Sequence, residues 1–218
     1  MKNSPTRAVE VPDGGIGALP LGAILSALAA KSPAPGGGAV AGVAGALSAS
    51  LAGMVLAYSK GKKDLAPHAQ AHENLAAHCA KASCRLLELA DADAEAYSLL
   101  NALQRLPEDD PRRTTDLPNA ARRCVDVPLE VQGVCLGLLE AFEALAPIAN
   151  KWLLSDLKIA AILAEAAVRA SDCNAEANAS TLGAAVSREA EREAQAKSLE
   201  ACERAGALLH AVVAKIDA

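Results

Sequence analysis

The stretch that decides the fold is Ser32–Ser59, which reads SPAPGGGAVAGVAGALSASLAGMVLAYS. Two prolines and three consecutive glycines precede a long run of Ala, Gly, Ser and aliphatic residues, and no charge occurs between Lys31 and Lys60. Because proline and glycine interrupt helices, the pattern predicts a break followed by a helix from about Ala39 to Ser59. Such a run has three explanations: a membrane span, a closely packed buried helix, or a backbone surface that holds a ligand.

The composition favours a buried helix over a membrane span. Ala, Gly and Ser gain little on leaving water, and the run contains few larger apolar side chains. Hydrophobic residues make up 52% of the chain but aromatic residues only 2%, so the core must consist of Ala, Leu, Val and Ile. Small side chains let helices approach to about 8 Å. We therefore predict that this run is the central helix of an all-α protein and that the chain does not enter a membrane.

The rest of the chain consists of helix-forming segments separated by Pro- and Gly-rich breaks. A length of 218 residues suits one domain. We expect a flexible lead-in over 1–18, without a signal peptide, and a single helical bundle of about six helices over 19–218. Besides the central helix, the expected helices are Leu19–Ala30, Pro67–Leu103, Pro118–Ala146 with a bend at Pro128, Ser155–Ala177 and Leu182–Ile216.

Charge and cysteine usage exclude several classes of function. The net charge is −5 and the chain has no basic block, which argues against nucleic acid as a partner. The six cysteines form no C-x-x-C pair, so we expect free thiols in a reducing cytoplasm. His68 and His72 have the i,i+4 spacing of metal ligands, but no closed ligand set follows them. We expect these histidines at exposed helix positions and predict no metal.

The glycines Gly36, Gly37 and Gly38 stand at the start of the predicted central helix. Backbone N–H groups at a helix start, with no Cβ to shield them, can approach an anion or a polar heterocycle. An ordinary flexible turn is the alternative, and three glycines taken alone are weak evidence for a ligand. The residues by themselves leave both explanations open.

The order and spacing of several short segments resemble the cyclodeaminase/cyclohydrolase family of folate enzymes. PAPGGG and the following small-residue run lead to SKGKK, and further segments follow in the family's order: DAEAY at 93–97, RLP at 105–107, DVPL at 126–129, NKWLLSD at 150–156 and NAEAN at 174–178. The resemblance implies a helical, usually dimeric enzyme that acts on a folate substrate and uses neither a metal nor a redox cofactor.

The activity that we prefer from this resemblance is that of a methenyltetrahydrofolate cyclohydrolase, which interconverts 5,10-methenyltetrahydrofolate and 10-formyltetrahydrofolate. The alternative is a formiminotetrahydrofolate cyclodeaminase, which releases ammonia and forms 5,10-methenyltetrahydrofolate. A further alternative is a helical interaction module without catalytic activity.

The resemblance also implies which carboxylates act on the substrate. Asp93 is the candidate beside the reacting carbon, with Tyr97 one helical turn further on the same face. Asp156, together with Ser155, is the candidate that accepts hydrogen bonds from the edge of the pterin. The alternatives are a solvated acidic surface around Asp93 and an ordinary helix N-cap at Ser155 and Asp156.

The remaining candidates bind the substrate. Asn150, Asn174 and Asn178 supply hydrogen-bond donors and acceptors for the heterocycle, and Lys62 and Lys63 supply positive charge for the glutamate tail. These asparagines also suit polar positions near a helix end, and the lysines suit the C-terminal dipole of the preceding helix. With Gly36–Gly38 they complete the predicted site, which we expect near the subunit interface of a homodimer.

Overall fold

The computed structural model describes residues 15–218, and this part of the chain forms six α-helices and no strand. The helices are α1 Leu21–Leu28, α2 Gly37–Ser59, α3 Ala69–Gln104, α4 Pro111–Leu145, α5 Leu154–Ala185 and α6 Arg188–Asp217. Short 3-10 turns connect some of them. The prediction of an all-α, single-domain bundle of six helices is confirmed.

Helix α2 packs against α3 and α5 on one face and exposes Leu47 and Tyr58 on the other, so it is not the central helix that the sequence predicted. Its buried face is built from glycine and alanine, which lets α3 approach its backbone closely. A Cβ on Gly42 would lie 2.7 Å from the carbonyl oxygen of Leu86. The small residues that dominate the sequence of α2 are therefore required by helix packing. Larger side chains of α4, among them Leu139 and Phe142, fill the core beside it.

Two helical stretches have the length and composition of a membrane span, namely Gly37–Ser59 and Pro111–Ile148. In the most apolar window of each, 56% and 44% of the residues are buried inside the bundle. The core helix of a folded domain has the same composition, so these stretches are weak evidence for a span.

Helix α4 begins earlier than predicted. The prediction placed its start near Pro118, but the helix starts at Pro111 and continues through Pro118 and Pro128. Asp110 caps it: its Oδ1 accepts a hydrogen bond of 2.9 Å from the backbone N–H of Arg112. Proline is favoured at the first position of a helix, where its missing N–H is not needed. The segment DDPRR is therefore a helix start and not part of a loop.

The boundary between the last two helices also differs from the prediction. Leu182, the predicted start of the sixth helix, is buried within α5. The break falls at Val186 and Ser187, where Ser187 Oγ accepts a hydrogen bond of 3.1 Å from the N–H of Ala190. Gly183 does not end α5, because the burial of the adjacent Leu182 outweighs the modest helix penalty of a glycine.

Ordered structure begins before the predicted start of the bundle at residue 19. Residues 1–14 of the predicted lead-in lie outside the described residues, but Ile16 starts a 3-10 turn and is buried. Its N–H donates a hydrogen bond of 2.8 Å to Oδ1 of Asp91 on α3. In α1, the large apolar side chains of Leu21 and Leu25 are exposed.

The histidine prediction is wrong for His72. This side chain is 1% exposed, and its Nε2 lies 2.8 Å from the carbonyl oxygen of Ile148. It therefore links the start of α3 to the 3-10 turn that follows α4. Over residues 15–218, no three His, Cys, Asp or Glu side chains lie together as a metal site would require. All six cysteines are free thiols, four of them buried.

Two glycines of α2 give a test of this packing. Gly42→Ala should destabilise the protein by about 1–3 kcal/mol, because the new methyl group meets the backbone of α3. Gly53→Ala should stabilise it by about 0.5–1 kcal/mol, since its Cβ position is open and alanine is the better helix former. Denaturant unfolding followed by circular dichroism measures both changes. Equal effects of the two substitutions would contradict the close approach of α3 at Gly42.

Candidate functional site

The candidate site lies at the N-terminal end of α2, where Gly36 is the N-cap and Gly37 and Gly38 open the helix. Gly38 is buried, and a Cβ at this position would overlap the carboxylate of Asp93 on α3. The glycine is thus required because the carboxylate occupies the space of its missing side chain. Two of the sequence-predicted features, the triple glycine and Asp93, are in contact.

Asp93 is a partly buried carboxylate, and little in its surroundings offsets its loss of hydration. Burial raises its pKa above the usual aspartate value, and a hydrogen bond from the N–H of Ala39 opposes that rise. Ala39 belongs to the first turn of α2, where the helix dipole also favours a negative charge. The raised pKa makes Asp93 a stronger proton acceptor than an exposed aspartate.

The side-chain amides of Asn174 and Asn178 on α5 are held by hydrogen bonds to backbone carbonyls. Nδ2 of Asn174 donates to the carbonyl of Ala170 at 3.0 Å, and Nδ2 of Asn178 donates to the carbonyls of Asn174 at 2.9 Å and Cys124 at 3.2 Å. These bonds set the orientation of both amides. Oδ1 of Asn174 lies 3.1 Å from the Cβ position of Gly37, so an acceptor faces the start of α2.

These groups line a cavity of about 290 Å³ between the start of α2 and the helices α3, α4 and α5. Asp93 is the only charged residue among those of the described chain that line it. Tyr97, predicted on the face of Asp93, also lines the cavity and is 41% exposed. The cavity therefore combines one carboxylate, two amide groups and the bare backbone of a helix start.

Cys124 on α4 lines the cavity and was not predicted. Burial raises the pKa of its thiol to about 11, and the nearby charge of Asp93 contributes. The thiol is therefore neutral near pH 7 and a poor nucleophile. No motif or spacing marks this cysteine, because its place in the site depends on how α4 packs beside α3.

The other predicted residues lie at the opposite end of α2. Nδ2 of Asn150 donates to the carbonyl of Tyr58 at 3.2 Å, and the N–H of Asn150 donates to Ser59 Oγ at 2.9 Å. A helix of 23 residues spans about 34 Å. Lys62, Lys63, Asn150, Ser155 and Asp156 are thus separated, within one chain, from the cavity that holds the other seven predicted residues.

The fold and the cavity define the class of protein: an all-α bundle with one carboxylate in a polar cavity at a helix start. A profile of the formiminotransferase-cyclodeaminase family matches residues 20–199. The chain belongs to this family.

Individual relatives carry two different names. The formimidoyltransferase-cyclodeaminase of Rattus norvegicus is 36% identical over 166 residues, which are 72% of this chain but 31% of the relative. The chain thus spans about a third of that relative's length. The methenyltetrahydrofolate cyclohydrolase of Methylorubrum extorquens is 31% identical over 165 residues, 72% of this chain and 78% of the relative.

A solved structure has the same fold over nearly the whole chain. The crystal structure of formiminotetrahydrofolate cyclodeaminase from Thermotoga maritima superposes with a TM-score of 0.75 and 28% sequence identity. The match covers 91% of this chain and 99% of the other. The helical domain is therefore shared along its full length.

The raised pKa of Asp93 predicts a pH-dependent penalty on folding. Above its folded-state pKa, the native state must hold a partly desolvated carboxylate; below the ordinary aspartate value of about 3.9, both states are protonated and the penalty is absent. Asp93→Asn should therefore be more stable than the wild type at pH 7, with the difference disappearing on acidification through this range. Urea unfolding at several pH values measures it. A less stable variant at pH 7 would contradict the desolvation of Asp93.

Proposed function

We propose that the chain is a methenyltetrahydrofolate cyclohydrolase. The observation that carries the proposal is the cavity at the start of α2, in which Asp93 is the one charged lining residue of the described chain. The methenyl bridge of the substrate is a cation, and a carboxylate in a partly desolvated cavity stabilises a cation more strongly than it does in water. The cyclohydrolase relative, of which the match covers 78%, supports the same activity.

Asp93 acts as the general base in this proposal. A water molecule attacks the methenyl carbon, and Asp93 accepts the proton that the water loses. In the neutral tetrahedral intermediate the bond from the carbon to the pterin ring nitrogen then breaks, this nitrogen takes up the proton from Asp93, and the hydroxyl proton passes to solvent as the C=O of the 10-formyl compound forms. The raised pKa of Asp93 suits this task, since it brings the pKa of the base closer to the operating pH.

The neutral groups of the cavity suit a reduced pterin. Oδ1 of Asn174 can accept from ring N–H and amino groups, and the N–H groups of Gly37 and Gly38 can donate to the ring carbonyl. A volume of about 290 Å³ lies near the lower end of ligand cavities, about 300–1,000 Å³. The cavity therefore accommodates the pterin and the bridge, while the benzoylglutamate part extends beyond it.

Formiminotetrahydrofolate cyclodeaminase activity is the second candidate. It is favoured by the names of the relative from Rattus norvegicus and of the solved structure from Thermotoga maritima. The same cavity suits this reaction, because the anilino nitrogen attacks a formimino carbon at the same position and ammonia departs. An interaction module without catalysis is less favoured, since it gives no reason to bury Asp93 against Gly38.

The proposed enzyme is a cytoplasmic homodimer that uses neither a metal nor a redox cofactor and binds neither nucleic acid nor membranes. The mixed surface charges and the net charge of −5 support the absence of a polyanionic partner. The free thiols support a reducing compartment. Neither proposed reaction changes an oxidation state, so neither needs an electron carrier.

Absorbance spectroscopy tests the choice between the two reactions. With 5,10-methenyltetrahydrofolate as substrate, the enzyme should speed the loss of its near-ultraviolet absorbance above the spontaneous rate. With 5-formiminotetrahydrofolate, the cyclodeaminase alternative predicts that this absorbance appears together with ammonia. Activity on the formimino substrate alone would replace the first candidate by the second. Inactivity on both would contradict both proposals.

Asp93→Asn should lower turnover at least about tenfold, because an amide cannot accept the proton. Glu95→Gln is the matched control: it neutralises an exposed carboxylate two residues away that does not line the cavity. The measurement is kcat in the absorbance assay, with circular dichroism to confirm that both variants fold. Near-normal turnover of Asp93→Asn would remove Asp93 from the role of general base.

A further inference from the structure

The start of α2 contains little that would hold it in helical form. Gly36 caps the helix without a side-chain hydrogen bond, Gly37 and Gly38 follow it, and the first turn contains no acidic residue. Glycine disfavours a helix more than any residue except proline, and a side-chain cap is what commonly stabilises a first turn. Contacts from outside α2 must therefore help to fix the N–H of Ala39, which donates to Asp93.

One such contact comes from the 3-10 turn Ile16–Ala18, which precedes α1. Ile16 is 2% exposed, and it forms one buried cluster with Ala39 of α2 and Ala90 of α3. The turn therefore packs over both helices where they meet. Because Ala39 supplies the N–H that donates to Asp93, Ile16 packs directly against the residue that carries this donor.

The backbone of the same turn is bonded to α3. The N–H of Ile16 donates a hydrogen bond of 2.8 Å to Oδ1 of Asp91. Gly15, with φ of +66°, comes so close that a Cβ at this position would overlap the carboxylate of Asp91. Only glycine adopts this backbone conformation without strain and leaves that space free. Asp91 lies two residues before Asp93, so the turn also contacts the segment of α3 that carries the proposed base.

We propose that Ile16 and Asp91 are positioning residues that hold the first turn of α2 on the carboxylate of Asp93. We call the contacts of Ile16 with Ala39 and Asp91 the clamp. Neither Ile16 nor Asp91 lines the cavity, so both act through the hydrogen bond between Ala39 and Asp93. The catalytic consequence of the clamp rests on the proposed function, whereas its effect on this hydrogen bond does not.

The pH dependence of kcat/KM tests the clamp in the active enzyme. Ile16→Ala should shift the acidic limb of the profile to higher pH, because Asp93 without the bond from Ala39 holds its charged form less well. In the described chain, the other titratable residues that line the cavity are Tyr97 on α3 and Cys124 on α4, and α2 and α5 contribute none. Asp93→Asn should abolish the limb, which assigns it to this carboxylate.

Two variants control for the loss of packing. Val212→Ala removes buried methyl groups from α6, so it should destabilise the fold while the acidic limb stays in place. Ile16→Val keeps most of the apolar side chain and should restore most of the wild-type profile. An unshifted limb in Ile16→Ala, or an equal shift in Val212→Ala, would overturn the clamp.

A matched pair of glycines tests the contact with Asp91 without removing an apolar side chain. Gly15→Ala should lower kcat/KM at least about threefold, because its methyl group displaces the Asp91 carboxylate and with it the turn. Gly22→Ala adds the same group in α1, where the Cβ position is open, and should have little effect. Asp91→Asn keeps an oxygen that can accept from Ile16 and should be milder than Asp91→Ala. Equal activity of the two glycine variants would contradict the role of Asp91.

Amide hydrogen exchange measured by NMR tests the clamp without any substrate. In Ile16→Ala, exchange of the Ala39 N–H should speed up at least about tenfold more than that of Ala52, a buried residue further along α2. A loss of global stability alone would speed both amides alike, and that result would overturn the clamp. If the wild type has no activity on either folate, the proposed function is wrong, and the exchange measurement alone decides the clamp.

Discussion

The structure depends on the close approach of α3 to the bare backbone of α2. Three glycines at successive turns, Gly38, Gly42 and Gly45, meet the carboxylate of Asp93, the carbonyl oxygen of Leu86 and the side chains of Leu86 and Cys135. Any side chain at these positions would push the helices apart. Close packing of backbone against backbone replaces the bulky aromatic contacts that the chain lacks. The same approach brings Asp93 against the first turn of α2.

The same helix packing that builds the core therefore also forms the cavity. The glycines that admit α3 also leave backbone N–H groups uncovered at the helix start, and α5 adds two amides that are fixed by bonds to helix carbonyls. Burial of Asp93 is unfavourable for folding and favourable for accepting a proton. A residue that destabilises the native state in this way is more readily explained by chemistry than by architecture.

Patterns of residue size and helix breaks predicted much of this from the sequence. The uncharged run predicted that α2 is a helix with closely packed neighbours, and the i,i+4 spacing of Asp93 with Tyr97 and of Asn174 with Asn178 predicted residue pairs that both line the cavity. The missed features depend on three-dimensional contacts. Cys124 reaches the site because of how α4 packs, and the buried His72 pairs with the carbonyl of Ile148, which is far away in the sequence. The predicted helix ends were wrong where a capping residue, such as Asp110, is of a type that is also common in loops.

The division of the predicted site has a physical origin in the length of α2. A single helix that spans about 34 Å cannot bring its two ends to one small molecule. Residues implied by one family resemblance nevertheless fall at both ends, with an uncharged helix face between them. Within one chain, Asp156 and the lysines therefore cannot act on a molecule that Asp93 holds, and only the residues near the start of α2 belong to the cavity.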